Sequence, residues 1–242
     1  MTIIHWRFNL CQWIYYGFMK PTIAIGDIHG LDYWKDIVEN HSGYRFVFLG
    51  DYLDPYEYIP HNLLLSNLCD IIELKRNRQL DIILLLGNHD LHYFCSDSCI
   101  SSRFDYQIAD KASRIFIENF HLFQYAYQEG NKIFTHAGIS NEWFENDFHG
   151  DIRKPISEQL NNPTDNQVAS LCRIGQVRGG ETGNLGGIFW ADRKELDDPL
   201  HGFTQIVGHN KVNEVTEQAG KFNNKIIFCD CLWNERYLLI ED

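Results

Sequence analysis

Residues able to bind metal or move protons stand at the ends of hydrophobic runs in this chain. Thr22-Ile23-Ala24-Ile25 leads into Gly26-Asp27-Ile28-His29-Gly30, and Phe46-Val47-Phe48-Leu49 leads into Gly50-Asp51-Tyr52-Leu53-Asp54. Ile82 to Leu86 precedes Gly87-Asn88-His89-Asp90, Ile133-Phe134-Thr135 precedes His136-Ala137-Gly138, and Ile206-Val207 precedes Gly208-His209-Asn210. A buried strand that delivers a polar residue at its C-terminal tip is how open α/β sheets build active sites. One such tip means little, because a lone Asp-x-His is usually a turn cap beside a satisfied histidine. Five together supply a complete ligand set for two metal ions. Asp27 and His29 can turn toward one ion, and Asp51 has two oxygens with which to bridge a pair. Asn88 offers a neutral oxygen, and His136 and His209 offer imidazoles.

Oxygen and imidazole donors without thiolate suit two divalent ions, manganese first, with iron, zinc or cobalt as alternatives. Two ions about 3.5–4 Å apart would hold an attacking hydroxide and clamp a phosphoryl group. His89, next to the ligand Asn88, would be free to protonate the leaving oxygen. Asp54 would fix the tautomer of the His89 ring. His92 and Tyr52 are close enough in sequence to wall the pocket, and Asp90 reads as a cap.

The elements that must position these residues are legible from periodicity. Strands over 22–26, 45–49 and 82–86 alternate with helices near 31–40, 61–78 and 115–120, and Leu64, Leu68, Ile71, Ile72 and Lys75 form a stripe on the second. This alternation predicts mainly parallel pairing. From residue 125 the texture changes. A hairpin over 125–135 and short strands at 204–208, 212–216, 225–229 and 236–240 predict a second, more antiparallel sheet. Residues 140–188 read as a poorly periodic insertion, a lid or binding loop. Residues 1–18 read as an N-terminal extension of doubtful order, either upstream of a true start at Met19 or packed on a domain spanning 19–242.

The whole chain sets limits on function. Its 242 residues are 44% hydrophobic, enough for one large globular domain. A formal net charge of −12, with no block of Lys or Arg, excludes a nucleic-acid backbone as partner but leaves a phosphorylated substrate open, since metal ions supply local positive charge. The 7 cysteines include no CxxC pair and read mostly as buried free thiols, consistent with a cytoplasmic protein. No apolar run reaches the length of a membrane span.

The ordered motifs Gly-Asp-x-His-Gly, Gly-Asp-x-x-Asp, Gly-Asn-His-Asp, His-Ala-Gly and Gly-His resemble those of the calcineurin-like metallophosphoesterase superfamily. Within it they are most similar to the branch of serine/threonine protein phosphatases and symmetrical diadenosine tetraphosphate hydrolases. The resemblance implies an α/β fold of four layers, α/β/β/α, with two mixed sheets between helices. It implies metal roles for Asp27, His29, Asp51, Asn88, His136 and His209, and catalytic roles for His89 and Asp54. The chain departs from that pattern after Asp54, where Pro55-Tyr56-Glu57 replaces an Arg-Gly whose arginine holds substrate phosphate. Arg178 and Arg193 are the candidate replacements. The expected activity is hydrolysis of phosphate monoesters, on phosphoprotein or a small ester. A symmetrical dinucleoside polyphosphate hydrolase is the second reading, and a non-catalytic scaffold the third.

Overall fold

The computed structural model describes residues 20–222 and 224–241, so the expectations for residues 1–18 and for Met19 lie outside the described residues. The first half alternates β1 (Thr22–Ile25), α1 (Trp34–Asn40), β2 (Arg45–Phe48), α2 (His61–Arg76), β3 (Asp81–Leu85), a single turn α3 (Asn88–Leu91), α4 (Ala109–Asn119) and β4 (Phe123–Gln124). The second half runs β5 (Ala126–Glu129), β6 (Lys132–Thr135), α5 (Ile156–Asn161), α6 (Asp165–Leu171), β7 (Thr204–Lys211), β8 (Thr216–Ala219), β9 (Lys225–Asp230) and β10 (Leu238–Ile240).

Alternation along each strand builds the layers. Ile23, Ile25, Phe46, Phe48, Ile82 and Leu84 face the helices and pack with Trp34, Ile37, Leu64, Leu68, Ile71 and Ile72. Ala24, Val47, Leu49 and Leu85 point the other way, against Phe134, Ile206 and Cys229 of the second sheet. Both faces of the first sheet are therefore dry, which is why its strands read as unbroken apolar runs. Its order is β10-β1-β2-β3-β4, and that of the second is β5-β6-β7-β9-β8. Two mixed sheets flanked by helices result, as the motifs imply.

Three expectations are corrected. The strand at 238–240 joins the first sheet, antiparallel to β1, and not the second; it covers an edge whose backbone groups would otherwise lack partners. The second sheet is as much parallel as antiparallel, since β6–β7 and β7–β9 are parallel. The strand expected at 212–216 lies at 216–219, because β7 runs on to Lys211 through a bulge.

The segment 140–188 is structured. It carries α5 and α6, and Trp143, Phe144, Phe148, Leu160 and Phe189 are buried in the main core. Its periodicity was hidden by short helices separated by turns. Asn161 fastens α5 to the hairpin by accepting from the amides of Tyr125 and Ala126, at 2.8 and 3.1 Å. Of the six described cysteines, all free, only Cys229 and Cys231 are buried. No described helix is long and apolar enough to cross a membrane.

Candidate metal centre

Register brings the tips together. Ile25 pairs with Phe48 and Phe48 with Leu84, so Asp27, Asp51 and Asn88 leave the first sheet at one edge. Thr135 pairs with Val207, so His136 and His209 leave the second sheet beside them. These five and His29 are nearly enclosed except His209, which is partly buried as a residue. Such close approach demands residues without side chains between the tips. A Cβ on Gly208 would lie 2.1 Å from Asp27 Oδ1, and one on Gly87 would lie 2.1 Å from Asp51 Oδ1. His29, Asp51, Asp54 and His209 all adopt positive φ, from 42° to 58°. Asp and His tolerate that region better than most residues, and strain of this kind collects at functional sites.

The tautomers at the centre follow from the carbonyls behind each ring. His29 Nδ1 donates to Leu53 O at 2.7 Å, and His136 Nδ1 donates to Leu49 O at 2.8 Å. Burial, followed for His29 by the neighbouring His89, drives both pKa values down to about 3, so each ring is neutral and its Nε2 carries a lone pair. Those lone pairs face oxygen. His29 Nε2 lies 3.9 Å from Asp27 Oδ2 and 3.7 Å from Asp51 Oδ2. His136 Nε2 lies 3.5 Å from the same Asp51 oxygen and 2.9 Å from Asn88 Oδ1. His209 Nδ1 approaches Asn88 Oδ1 at 3.0 Å, and its buried Nε2 has no hydrogen-bond partner among the described residues.

Acceptors turned on acceptors in a dry site repel, unless a cation lies among them. The spacings are near the edge of about 3.4 Å expected between donors each about 2.1 Å from a tetrahedral ion. Three clusters among the described residues have the spacing to hold an ion: Asp27–His29–Asp51 and Asp51–His136–His209, which share Asp51, and Asp54–His89–His92 beside them. Burial, then Asp230, pushes the Asp27 carboxyl well above its usual range; burial, then Asp90, does the same to Asp51. The donor set and its charge therefore fit two divalent ions.

A second network stands beside this one. Asp54 Oδ2 accepts from His89 Nδ1 at 2.7 Å and lies 2.8 Å from His92 Nε2, while Tyr93 donates its hydroxyl to Asp54 Oδ1. Burial raises the Asp54 pKa, but the bonds from His89, His92 and Tyr93 outweigh it and hold the carboxyl below its ordinary value. His89 thus has its Nδ1 proton committed and its Nε2 facing a guanidinium nitrogen of Arg103 at 3.4 Å, with burial lowering its pKa against the pull of Asp54. The His89 amide donates to Asp51 Oδ1 at 2.8 Å, tying this network to the ligands.

Asp90 does more than cap. It is fully buried and accepts from the amides of Gly87, Asp51 and Tyr52, each at 2.8 Å, locking the β2 and β3 tips together. Tyr52 is a core residue, donating to Leu85 O at 2.9 Å, and not a pocket wall.

The two candidate arginines part company. Arg178 pairs with Asp192 at 2.8 Å and donates to Asn210 Oδ1 at 2.9 Å, near enough to add to the lowering of the His209 pKa that burial and then His136 cause. Arg193 turns outward, its guanidinium 4.9 Å from the centre of the Phe228 ring and its Nε donating to Gln218 at 3.3 Å.

The cation that reaches His89 is one the motifs do not mark. Arg103 Nε donates to Asp54 O at 3.0 Å, its Nη2 lies 3.4 Å from His89 Nε2, and its guanidinium lies 3.9 Å over the Tyr56 ring. Asp230, at the end of β9, is also unmarked. It is buried and hydrogen-bonded to Asp27, and burial raises its pKa to about 6. Its one sequence signal was its place at the tip of another apolar run, Ile226 to Cys229.

A cold-active protein-tyrosine phosphatase of a psychrophilic Shewanella species has a similar structure. It shares 18% identity, 93% of this chain and 76% of its own are covered, and the TM-score is 0.56. A single-residue variant of a cold-active protein tyrosine phosphatase superposes at a TM-score of 0.55 with 19% identity, over 93% of this chain and 76% of that one. These likenesses establish the fold. No curated protein sequence matches the chain. The family model for calcineurin-like phosphoesterases matches residues 20–230, and the chain accordingly belongs to that family of metal-dependent phosphoric ester hydrolases.

Proposed function

We propose that the protein hydrolyses phosphate monoesters at a centre of two divalent cations, manganese being the leading candidate. Asp27, His29 and Asp51 hold one ion, and Asp51, Asn88, His136 and His209 hold the other. The observation that carries this reading is Asp51 Oδ2, with the unprotonated Nε2 atoms of His29 and His136 at 3.7 and 3.5 Å. When bound, the ions polarise the phosphoryl oxygens and lower the pKa of water.

The chain's own residues do the rest. His89 presents Nε2 to the leaving oxygen and gives it a proton, while Asp54 holds Nδ1 and stabilises the imidazolium. An incoming phosphate dianion favours that protonated form. Arg103 supplies the guanidinium that the sequence lacks after Asp54. It grips phosphate oxygens beside His89, with Tyr56 beneath it as a cation–π support. Arg178 adds positive potential from the opposite side.

The test is purified protein stripped by chelator and then given Mn²⁺. It is assayed with p-nitrophenyl phosphate, its bis ester, phosphopeptides and diadenosine tetraphosphate. The expected result is metal-restored turnover of the monoester above that of the bis ester. Equal turnover in the stripped and loaded protein sinks the proposal. Dominant cleavage of diadenosine tetraphosphate would favour the second reading, a dinucleoside polyphosphate hydrolase.

A further inference from the structure

A cleft of about 390 Å³ opens from Asp27 and His29 between Tyr56, Tyr58 and Trp233. Its aromatic walls are left in water: Tyr56 is 54% exposed and Trp233 42%. The slot between Tyr56 and Trp233 is filled by the side chain of Lys211, whose ammonium lies 4.2 Å from the first ring centre and 4.5 Å from the second. Lys211 ends β7, two residues beyond His209, so the backbone that carries a ligand of the centre also carries this charge.

Three other lysines are neutralised by carboxylates. Lys35, in the hollow that continues this cleft past Leu31 and Ile59, pairs with Asp70 at 2.8 Å. Lys20 pairs with Asp81 and Lys225 with Glu217. Lys211 has no ion pair among the described residues. Asp230, its register partner on β9, feels the Lys211 charge, which works against the burial that raises the Asp230 pKa, but its carboxyl is hydrogen-bonded to Asp27 and forms no ion pair with Lys211. Two rings thus hold an ammonium in place without discharging it, which leaves its positive charge for an outside anion. Tyr56 serves two cations, since Arg103 also lies on its ring, and that ring is 5.1 Å from the His29 ring.

We infer that Lys211 recognises a second anionic group on the substrate. The preferred substrates are then phosphate monoesters carrying a further carboxylate or phosphate a few bonds from the scissile phosphorus. The inference rests on the phosphoesterase reading of the adjoining centre. The ester phosphate would lie at the centre and Arg103, and the second anion would lie over the aromatic slot.

Calorimetry on the Mn²⁺-loaded protein tests it with three compounds that are not hydrolysed. These are propylphosphonate, 3-phosphonopropionate and propane-1,3-diphosphonate, which present the same phosphonate with no second anion, a carboxylate or a phosphonate. At low salt the wild type should bind one of the doubly anionic compounds about fivefold more tightly than propylphosphonate, the scale of an exposed charge pair. The better of the two identifies the second anion as carboxylate or phosphate. Lys211→Met, which keeps an apolar stem between the rings, should bring the ratio to about one, and Lys211→Arg should keep it. Equal binding of all three by the wild type, or an unchanged ratio in Lys211→Met, overturns the role of Lys211 and leaves the metal site standing. Absence of binding by every phosphonate overturns both.

Discussion

The floor of the site and its rim are built on different rules. The floor, made of Asp27, His29, Asp51, Asn88 and His136, is buried, rigid and placed by strand register. Asp27, His29, Asp51 and His136 each have one side-chain atom fixed by backbone and another turned toward the centre, where Asn88 Oδ1 meets the His136 and His209 rings. The rim, made of Tyr56, Arg103, Lys211 and Trp233, stands on loops and strand ends, is open to water, and is held by cations on rings. Changes in the floor should abolish chemistry, whereas changes in the rim should retune which molecules are chosen.

The largest effect should come from Asp51→Asn. The shared oxygen, Oδ2, becomes an amide nitrogen whose protons face His29 and His136, so at least one ion is lost. Several kcal/mol of transition-state stabilisation go with it, about a thousandfold or more in turnover. Elemental analysis showing both ions retained would remove the bridging assignment and, with it, the shared floor. His89→Asn should keep both ions, because the ring is not among the proposed ligands and the amide bond to Asp51 survives the change. Turnover should fall by about 10²–10⁴, the range for a lost general acid. Unchanged turnover would place His89 with the rim.

Metal removal should show how much charge the floor stores. Asp27 and Asp51 have raised pKa values when folded, from burial and neighbouring carboxylates, and Asp230 is raised to about 6. A carboxyl whose folded pKa exceeds its unfolded value of about 3.9 stabilises fully below that value and loses the contribution as pH rises through the folded pKa. His29 and His136, lowered to about 3, oppose this only below about pH 6.5; above it they are neutral in both states. Above about pH 6.5 the chelated protein should therefore lose stability, and its Tm fall, as pH rises. The Mn²⁺-loaded protein should not, because cations replace the protons. Parallel melting curves with and without chelator would contradict a charged floor.

The same division explains what was legible in the sequence. Strand tips announce themselves, because an apolar run and the Gly-Asp or Gly-Asn after it are local signals, and register then does the assembly. The helix stripe at Leu64, Leu68, Ile71 and Ile72 was equally readable and is buried as expected. Arg103 was not legible. It lies 49 residues from the Asp54 carbonyl it donates to, in a stretch without periodicity, and no local pattern reports that distance. Segment 140–188 was missed for a related reason: α5 and α6 span 6 and 7 residues, too short for a helical period to repeat twice. The final strand was recognised but assigned to the wrong sheet, because a three-residue apolar run says nothing of which edge it will cover.

The arginines give the finest cut between floor and rim. Arg103→Ala should raise KM for p-nitrophenyl phosphate about tenfold, the scale of one charge-assisted contact to phosphate. The fall in kcat should be smaller, because Asp54 still holds His89. Arg193→Ala should leave KM within about twofold, since its guanidinium lies against Phe228 and Gln218 on the outer face of the second sheet. If instead Arg193→Ala raises KM while Arg103→Ala does not, the 3.4 Å approach of Arg103 to His89 is incidental. The Trp-x-Asp stretch from Trp190 to Asp192 would then carry phosphate binding, and the rim would extend to the side of His209 on which Trp190 packs.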